Sequence, residues 1–293
     1  MLFRCVGAAV TSYSEQAVVF ECAGDRLVGI TAVPEVAADI GVLILVGGPQ
    51  YRVGSHRQFT LLARSLAEAG FASLRFDYRG MGDSEGKKSE FDDTEDDIAA
   101  AIDAFIRSAP GVSRVVLWGL CDAASSALIF AHRHPRVAGL ILLNPRVHSG
   151  NYSPQVKLAH YYRPSLSTRN QWRRLLSGQI KLVPAFAELA RDSVALLGKS
   201  SHGRGWKSAT RSFVEVMQEG LEQFQHRILI VLSEADLTAR EFSTLIAQDP
   251  AWKRTVAKAT VSINTLAGAD HTFSQRPWQE EVSRMTIEWV AQQ

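Results

Sequence analysis

The sequence lacks the features that mark several common classes of protein. Cysteine is scarce, and the three present, Cys5, Cys22 and Cys121, have neither disulfide-framework nor zinc-ligand spacing. No apolar run reaches the roughly 18 residues of a membrane span. Residues 1–10 lack the long apolar stretch of a secretory signal. These absences predict a cytoplasmic protein without a membrane span.

An excess of charge of one sign is also absent. The chain has 32 Lys and Arg against 30 Asp and Glu, a net charge of +2, so no overall field attracts nucleic acid. The acidic run 92–97 superficially resembles a metal site. Carboxylates are favoured at a helix N-terminus, however, and we interpret the run as the start of a helix. We therefore predict neither a metal nor a cofactor.

The apolar residues that are present predict an α/β fold. The 293 residues are 46% hydrophobic, enough to bury a large core. From residue 41 onward, continuous apolar strands alternate with helical patterns, which is typical of a mostly parallel sheet covered on both faces. Strands are predicted at 17–22, 26–33, 41–46, 71–76, 114–118, 137–143, 228–232 and 261–266, and helices at 59–69, 98–106, 123–132, 239–248 and 278–290.

Residues 146–225 break this alternation, because they contain no clear strand. We interpret them as a helical lid inserted over the strand ends, where ligands bind in open α/β sheets, between core segments 1–145 and 226–293. The insertion holds 12 Lys and Arg against 5 Asp and Glu. This excess indicates either solvated helix faces or an anionic ligand, such as a phosphopantetheine-bearing acyl group or an acidic carrier protein.

The most informative pattern is Val-Val-Leu-Trp-Gly-Leu-Cys-Asp-Ala-Ala at residues 115–124. An apolar run ends in Gly-x-Cys-x-Ala, and a helical pattern of small residues follows, which is the layout of a nucleophile elbow. The turn is so tight that its flanking positions must be small, and it holds one side chain at the edge of the sheet. That side chain is the thiol of Cys121, which predicts covalent acyl chemistry through cysteine.

Two partners for this thiol lie further along the chain. A cysteine nucleophile needs a base to hold its thiolate and an anion to orient the base. Asp236 and His271 each follow a predicted strand, in the order nucleophile, acid, histidine. Each residue alone has an ordinary structural explanation, but their order favours a Cys121–His271–Asp236 triad, with Glu234 as the alternative acid.

Acyl transfer also needs hydrogen-bond donors for the developing oxyanion. We predict one donor to be the backbone N–H of Asp122, at the start of the helix after the nucleophile. The second should come from the loop after strand 41–46, where Pro49 has no N–H. Gly48 is the first candidate and Gln50 the second.

The same loop continues with four residues that could reach a substrate. Tyr51 and Arg52 are the candidate substrate-binding residues, and Arg52 could pair with a carboxylate or phosphate. His56 and Arg57 are further candidates. All four could equally be ordinary surface residues.

Together these residues resemble the α/β-hydrolase superfamily over nearly the whole chain. Residues 77–86, Asp-Tyr-Arg-Gly-Met-Gly-Asp-Ser-Glu-Gly, resemble its loop after the fourth strand, and residues 45–49 resemble its oxyanion loop His-Gly-Gly-Pro, with Val46 in place of His. The elbow departs from the pattern in Cys121 for Ser and in Ala123 for the last Gly. Dienelactone hydrolases resemble this chain in using cysteine on this fold.

A narrower resemblance is carried by residues 47–59, Gly-Gly-Pro-Gln-Tyr-Arg-Val-Gly-Ser-His-Arg-Gln-Phe, together with residues 118–123. These stretches are similar to the exosortase A system-associated hydrolases, first class. The resemblance implies a bacterial protein encoded near an export and exopolysaccharide system, and it supplies no substrate.

The predicted function is hydrolysis or acyl transfer on a small-molecule ester or thioester, either free or linked to CoA or a carrier protein, through an acyl-enzyme on Cys121. Peptide hydrolysis is disfavoured, because no specificity feature for it is visible. Two alternatives remain open. One is a non-catalytic binding protein on a hydrolase scaffold, and the other is a redox sensor that uses the Cys121 thiol. The sequence leaves the oligomeric state open.

Overall fold

The computed structural model describes residues 12–48, 50–147 and 211–293. All of these except Arg211 belong to one compact unit formed by residues 1–148 and 212–293. Its eight strands are β1 (Tyr13–Cys22), β2 (Asp25–Pro34), β3 (Ile40–Leu45), β4 (Ser73–Phe76), β5 (Arg114–Leu120), β6 (Val137–Leu143), β7 (Arg227–Ser233) and β8 (Val261–Leu266).

The strands form one sheet in the order β1-β2-β4-β3-β5-β6-β7-β8. β2 pairs antiparallel with β1 and β4, and every other neighbouring pair is parallel. The parallel strands therefore end at a common edge, and the loops that follow them lie side by side. The predicted α/β fold with a mostly parallel sheet is confirmed.

Seven α-helices occur in the described ranges. None of these helices is long and apolar enough to cross a membrane. They are α1 (Gln58–Glu68), α2 (Glu95–Ser108), α3 (Asp122–Phe130), α4 (Phe213–Gln223), α5 (Leu237–Gln248), α6 (Pro250–Val256) and α7 (Arg276–Val290).

One face of the sheet is covered by α1 and α7. Trp118 of β5 packs edge-on against Phe59 of α1, with ring centroids 5.7 Å apart. Its indole N–H donates to Thr286 Oγ1 of α7 at 3.3 Å. A large side chain three residues before Cys121 is thereby fixed on both sides.

The opposite face is covered by α2, α3 and α4. Gly41 of β3 points to this face, and a Cβ there would lie 2.6 Å from the ring of Phe105 in α2. α4 packs on α3 just as closely, because a Cβ at Gly220 would lie 2.0 Å from the carbonyl oxygen of Leu128. Glycine at these two positions lets backbone and ring approach without a clash.

β8 departs from the expectation that the sheet is covered on both faces. Its four central residues, 262–265, are exposed, whereas β3 and β6 are buried throughout. β8 has only β7 as a neighbour and forms an edge of the sheet. Coverage by helices on both faces thus applies to the central strands.

The predicted lid, residues 146–225, lies largely outside the described residues, and the division into core and lid stays a prediction. Its last part belongs with the core, because α4 packs on α3. Ser212 and Glu215 form a reciprocal capping box at the start of α4. The sequence analysis overlooked this Ser-x-x-Glu helix signal, which is visible in the chain.

Candidate active site

Cys121 lies in the tight turn between β5 and α3. Its backbone has φ 59° and ψ −117°, a conformation that costs a non-glycine residue about 1–3 kcal/mol and is characteristic of strained functional turns. A Cβ at Gly119 would lie 2.6 Å from the carbonyl group of Ala123. The small residues on both sides of Cys121 therefore permit the turn.

His271 lies in the loop after β8 and connects Cys121 with Asp236. Its Nδ1 is 2.9 Å from Asp236 Oδ2, and its ring also hydrogen-bonds Cys121. Burial lowers the pKa of His271, but the hydrogen bonds and charges of Asp236 and Cys121 outweigh burial and raise it to about 10.

Asp236 follows β7 and is nearly buried, with 7% of its side chain exposed. The oxygen that faces His271 also accepts a hydrogen bond from Ala239 N at 3.1 Å, so Asp236 caps the N-terminus of α5. Glu234, the alternative acid, instead accepts a hydrogen bond from Gly268 N at 2.7 Å. The geometry therefore favours Asp236 as the carboxylate that orients His271.

The sequence analysis missed Asn144, which connects three segments of the site. Asn144 follows β6, is fully buried, and has φ 45°. Its Nδ2 donates to Ser233 Oγ at 2.9 Å and to the carbonyl oxygen of His271 at 3.1 Å, while its Oδ1 accepts from Ser233 N at 2.8 Å. An asparagine directly after a buried strand was the available signal, since asparagine tolerates positive φ.

Asp270 shapes the histidine loop from within. It accepts hydrogen bonds from the backbone N–H groups of Thr272 at 3.2 Å and Ser274 at 2.9 Å, and from the Ser274 hydroxyl. Burial raises the pKa of Asp270, but the hydrogen bonds from Ser274 and Thr272 outweigh burial and lower it. The loop that presents His271 is therefore held by a charged acceptor.

Three backbone N–H groups are available near the elbow. Within the described ranges, no hydrogen bond is formed by the N–H of Gly48, Gln50 or Asp122. Gly48 has φ 62°, and a Cβ at Gly47 would lie 2.5 Å from the carbonyl oxygen of Leu120, so the loop runs directly against the elbow. Pro49 lies outside the described residues. The choice between Gly48 and Gln50 as second oxyanion donor stays a prediction.

Arg52 does not present its charged end to a ligand. It pairs with Asp77 and with Asp83, and only 14% of its side chain is exposed. Tyr51 is 48% exposed and could still meet a substrate. The structure therefore argues against the predicted substrate-binding role of Arg52.

The side chain of Asp122 places a carboxylate beside Cys121, which the sequence analysis did not consider. Its Oδ1 is 3.9 Å from Cys121 Sγ and 2.9 Å from Arg146 Nη1. The Arg146 guanidinium also lies over the ring of Phe91, 5.4 Å from its centroid. Arg146 thus balances a carboxylate that would otherwise oppose negative charge at the elbow.

Asp97, in the acidic run 92–97, is occupied by internal partners. It is buried at the start of α2 and pairs with Arg79, and it accepts a hydrogen bond from the thiol of Cys22 at 3.4 Å. Burial and the Asp97 charge raise the pKa of Cys22 to about 11. Cys22 is therefore held as a thiol at neutral pH, and Cys5 lies outside the described residues.

A protein-family model described as serine aminopeptidase, S33, matches residues 41–273, which is well over half of the chain. The chain belongs to this family. The matched range includes Cys121, Asp236 and His271. Among curated proteins, human Protein ABHD12B is 37% identical over 78 residues, 27% of this chain. The match covers only 20% of the length of ABHD12B.

Solved structures share the fold of this S33-family protein over almost its entire length. The Pyrococcus furiosus esterase Pf2001 has a TM-score of 0.61 at 14% identity, covering 96% of this chain and 93% of that chain. The dienelactone hydrolase of Anabaena variabilis has a TM-score of 0.59 at 16% identity, covering 96% and 98%. Est1E of Butyrivibrio proteoclasticus, with ferulic acid bound, has a TM-score of 0.60 at 17% identity, covering 94% and 99%. The protein is an α/β hydrolase.

Proposed function

We propose that this α/β hydrolase cleaves or transfers the acyl group of an ester or thioester through a covalent intermediate on Cys121. The observation that carries the proposal is the hydrogen-bonded chain from Cys121 through His271 to Asp236 at the elbow. A nucleophile, a base and an orienting carboxylate are the three parts that nucleophilic acyl transfer requires.

In the first step, the Cys121 sulfur attacks the carbonyl carbon while His271 holds the thiol proton. A C–S bond forms, and the carbonyl electron pair moves to oxygen. The N–H groups of Asp122 and of Gly48 or Gln50 would stabilise this oxyanion. When the electron pair returns, the bond to the leaving group breaks, and His271 protonates the departing alcohol or thiol.

In the second step, water or another acceptor attacks the thioester on Cys121. His271 takes a proton from the acceptor, and the Cys121 sulfur leaves and is then reprotonated. Water as acceptor gives hydrolysis, and an alcohol, amine or thiol gives acyl transfer. Both reactions use the same residues.

We further propose that the acyl donor is anionic, or is linked to CoA or an acidic carrier protein. The support is the excess of 12 Lys and Arg over 5 Asp and Glu in residues 146–225. Positive charge near a cleft raises the local concentration of anions, an effect that salt weakens. The exosortase-system association likewise stays a prediction.

Mass spectrometry of the intact protein tests the proposal. After exposure to a panel of activated acyl esters and thioesters, the protein should gain one acyl mass, located at Cys121 by peptide mapping. Cys121→Ala should gain none, and His271→Ala should acylate more slowly. If Cys121 can be alkylated but no donor acylates it, the acyl-enzyme proposal is wrong and a thiol sensor becomes the better explanation.

A further inference from the structure

The loop that would supply the second oxyanion donor, residues 47–55, is joined to the turn after β4 by the side chain of Arg52. This candidate oxyanion loop follows β3 and precedes α1, and its described residues 47, 48 and 50–54 form no part of a helix or strand. Arg52 lies inside it.

Arg52 forms hydrogen bonds to the turn after β4 through both its backbone and its side chain. Its backbone N–H donates to Asp77 Oδ1 at 2.6 Å, and its Nη1 bonds Asp77 Oδ2. Its Nη2 donates to Asp83 Oδ2 at 2.5 Å. One residue thus spans two carboxylates on the neighbouring loop.

Asp77 is itself firmly held. It is fully buried, its backbone N–H donates to Val28 at 3.0 Å, and its Oδ2 accepts from Asp83 N at 3.1 Å. Gly82, with φ 52°, packs on this carboxylate, since a Cβ there would lie 2.2 Å from Asp77 Oδ2. The turn therefore offers Arg52 a rigid anchor.

We infer that Arg52 is a positioning residue, which fixes the candidate oxyanion loop so that its N–H groups face the acyl oxygen. This inference rests on the proposed function. The planar guanidinium fork can hold two carboxylates at once, whereas a lysine ammonium is a point charge on a flexible stem. Arg52→Lys should therefore keep the positive charge but lose the contact with two carboxylates that orients the candidate oxyanion loop.

The test compares two reactions of the same sulfur. Acylation by p-nitrophenyl acetate develops an oxyanion, whereas alkylation by iodoacetamide is a displacement at saturated carbon and develops none. Removing one oxyanion donor typically costs about 10²–10³ in rate. Arg52→Lys should therefore slow acylation of Cys121 by about 10-fold or more and leave its alkylation within about twofold.

Arg26→Lys is the matched control. Arg26 donates to Glu85 on the same turn, but from the side of β2 and without touching the candidate oxyanion loop. Arg26→Lys should leave the rates of acylation and of alkylation of Cys121 unchanged. If Arg52→Lys does not fold, Asp83→Asn removes only the negative charge of the exposed partner of Arg52, and it should lower the ratio of acylation to alkylation by a smaller factor.

Three results would overturn the inference. One is unchanged acylation in Arg52→Lys, and the second is an equal loss of acylation and alkylation, which would indicate general damage to the site. If the unaltered protein is not acylated at all, the proposed function fails, and hydrogen exchange then tests the positioning by itself. Peptides covering residues 47–57 should exchange faster in Arg52→Lys than in Arg26→Lys, and equal exchange would be the third result.

Discussion

Replacement of Asn144 by alanine should weaken both the fold and the reactivity of Cys121. The substitution removes two hydrogen bonds to Ser233 and one to the carbonyl oxygen of His271. These bonds connect the end of β6 with the end of β7 and with the histidine loop. Few other single substitutions would disconnect so many segments of the site.

The magnitude follows from the three bonds and from their burial. A typical intramolecular hydrogen bond contributes about 0.5–1.5 kcal/mol to stability, so their loss costs about 2–4 kcal/mol. Ser233 is only 1% exposed, so its backbone N–H would be left without water as a replacement partner. Alanine also tolerates the φ of 45° less well than asparagine does. We expect a free energy of unfolding lower by about 3 kcal/mol.

Urea unfolding followed by fluorescence measures this loss, and iodoacetamide alkylation of the folded variant measures the effect on Cys121. Asn264→Ala is the control, because Asn264 lies on the exposed edge strand β8. It should change the free energy of unfolding by less than about 0.5 kcal/mol. A loss below about 1 kcal/mol in Asn144→Ala would refute the reasoning, as would an unchanged alkylation rate.

Three further predictions concern reactivity, pH and packing. Cys121 should alkylate faster than Cys22 near neutral pH, and His271→Ala should slow it; equal rates by peptide mapping would remove the case for an activated nucleophile. Because the pKa of His271 is raised to about 10, its stabilising interactions are fully present below its unfolded pKa of about 6.5. The stability difference between the unaltered protein and His271→Gln should therefore shrink as pH rises from about 6.5 to 10, and a difference that grows would contradict the sign of the shift. Gly220→Ala should lower the melting temperature, because its Cβ would lie 2.0 Å from the carbonyl oxygen of Leu128, and an unchanged value would show that α4 can move away.

The parts of the site that the sequence predicted are those fixed by chain order. Cys121, Asp236 and His271 each follow a strand, and parallel strands end at one edge of a sheet. Strand ends could therefore be inferred to be neighbours before any contact was known. The α/β fold followed from the same alternation.

The contacts of Arg52 could not be predicted in this way. Its partners Asp77 and Asp83 are 25 and 31 residues away, on the turn after a strand that pairs with β3. From sequence alone, an arginine near an oxyanion loop has the same pattern whether it binds a substrate anion or an internal carboxylate. Only the arrangement of the strands shows that Arg52 binds internal carboxylates.

The bridging role of Asn144 could not be predicted from the sequence either. It depends on two backbone groups, the Ser233 N–H and the His271 carbonyl oxygen, and on no recognisable motif. α4 was different, since its capping residues are visible in the sequence. The predicted insertion, residues 146–225, includes α4 because the limits of the core follow from predicted strands alone.

Asn144 also bears on how the two halves of the core are joined. It lies at the point where the chain leaves the sheet, just before the stretch 148–210 that separates the two halves of the core in sequence. Its hydrogen bonds connect β6 directly to β7 and to the histidine loop, so contacts at the edge of the sheet join the chain segments before and after that stretch. One buried side chain therefore closes chain loops of 89 and 127 residues, and these contacts can form only after both halves of the core have come together.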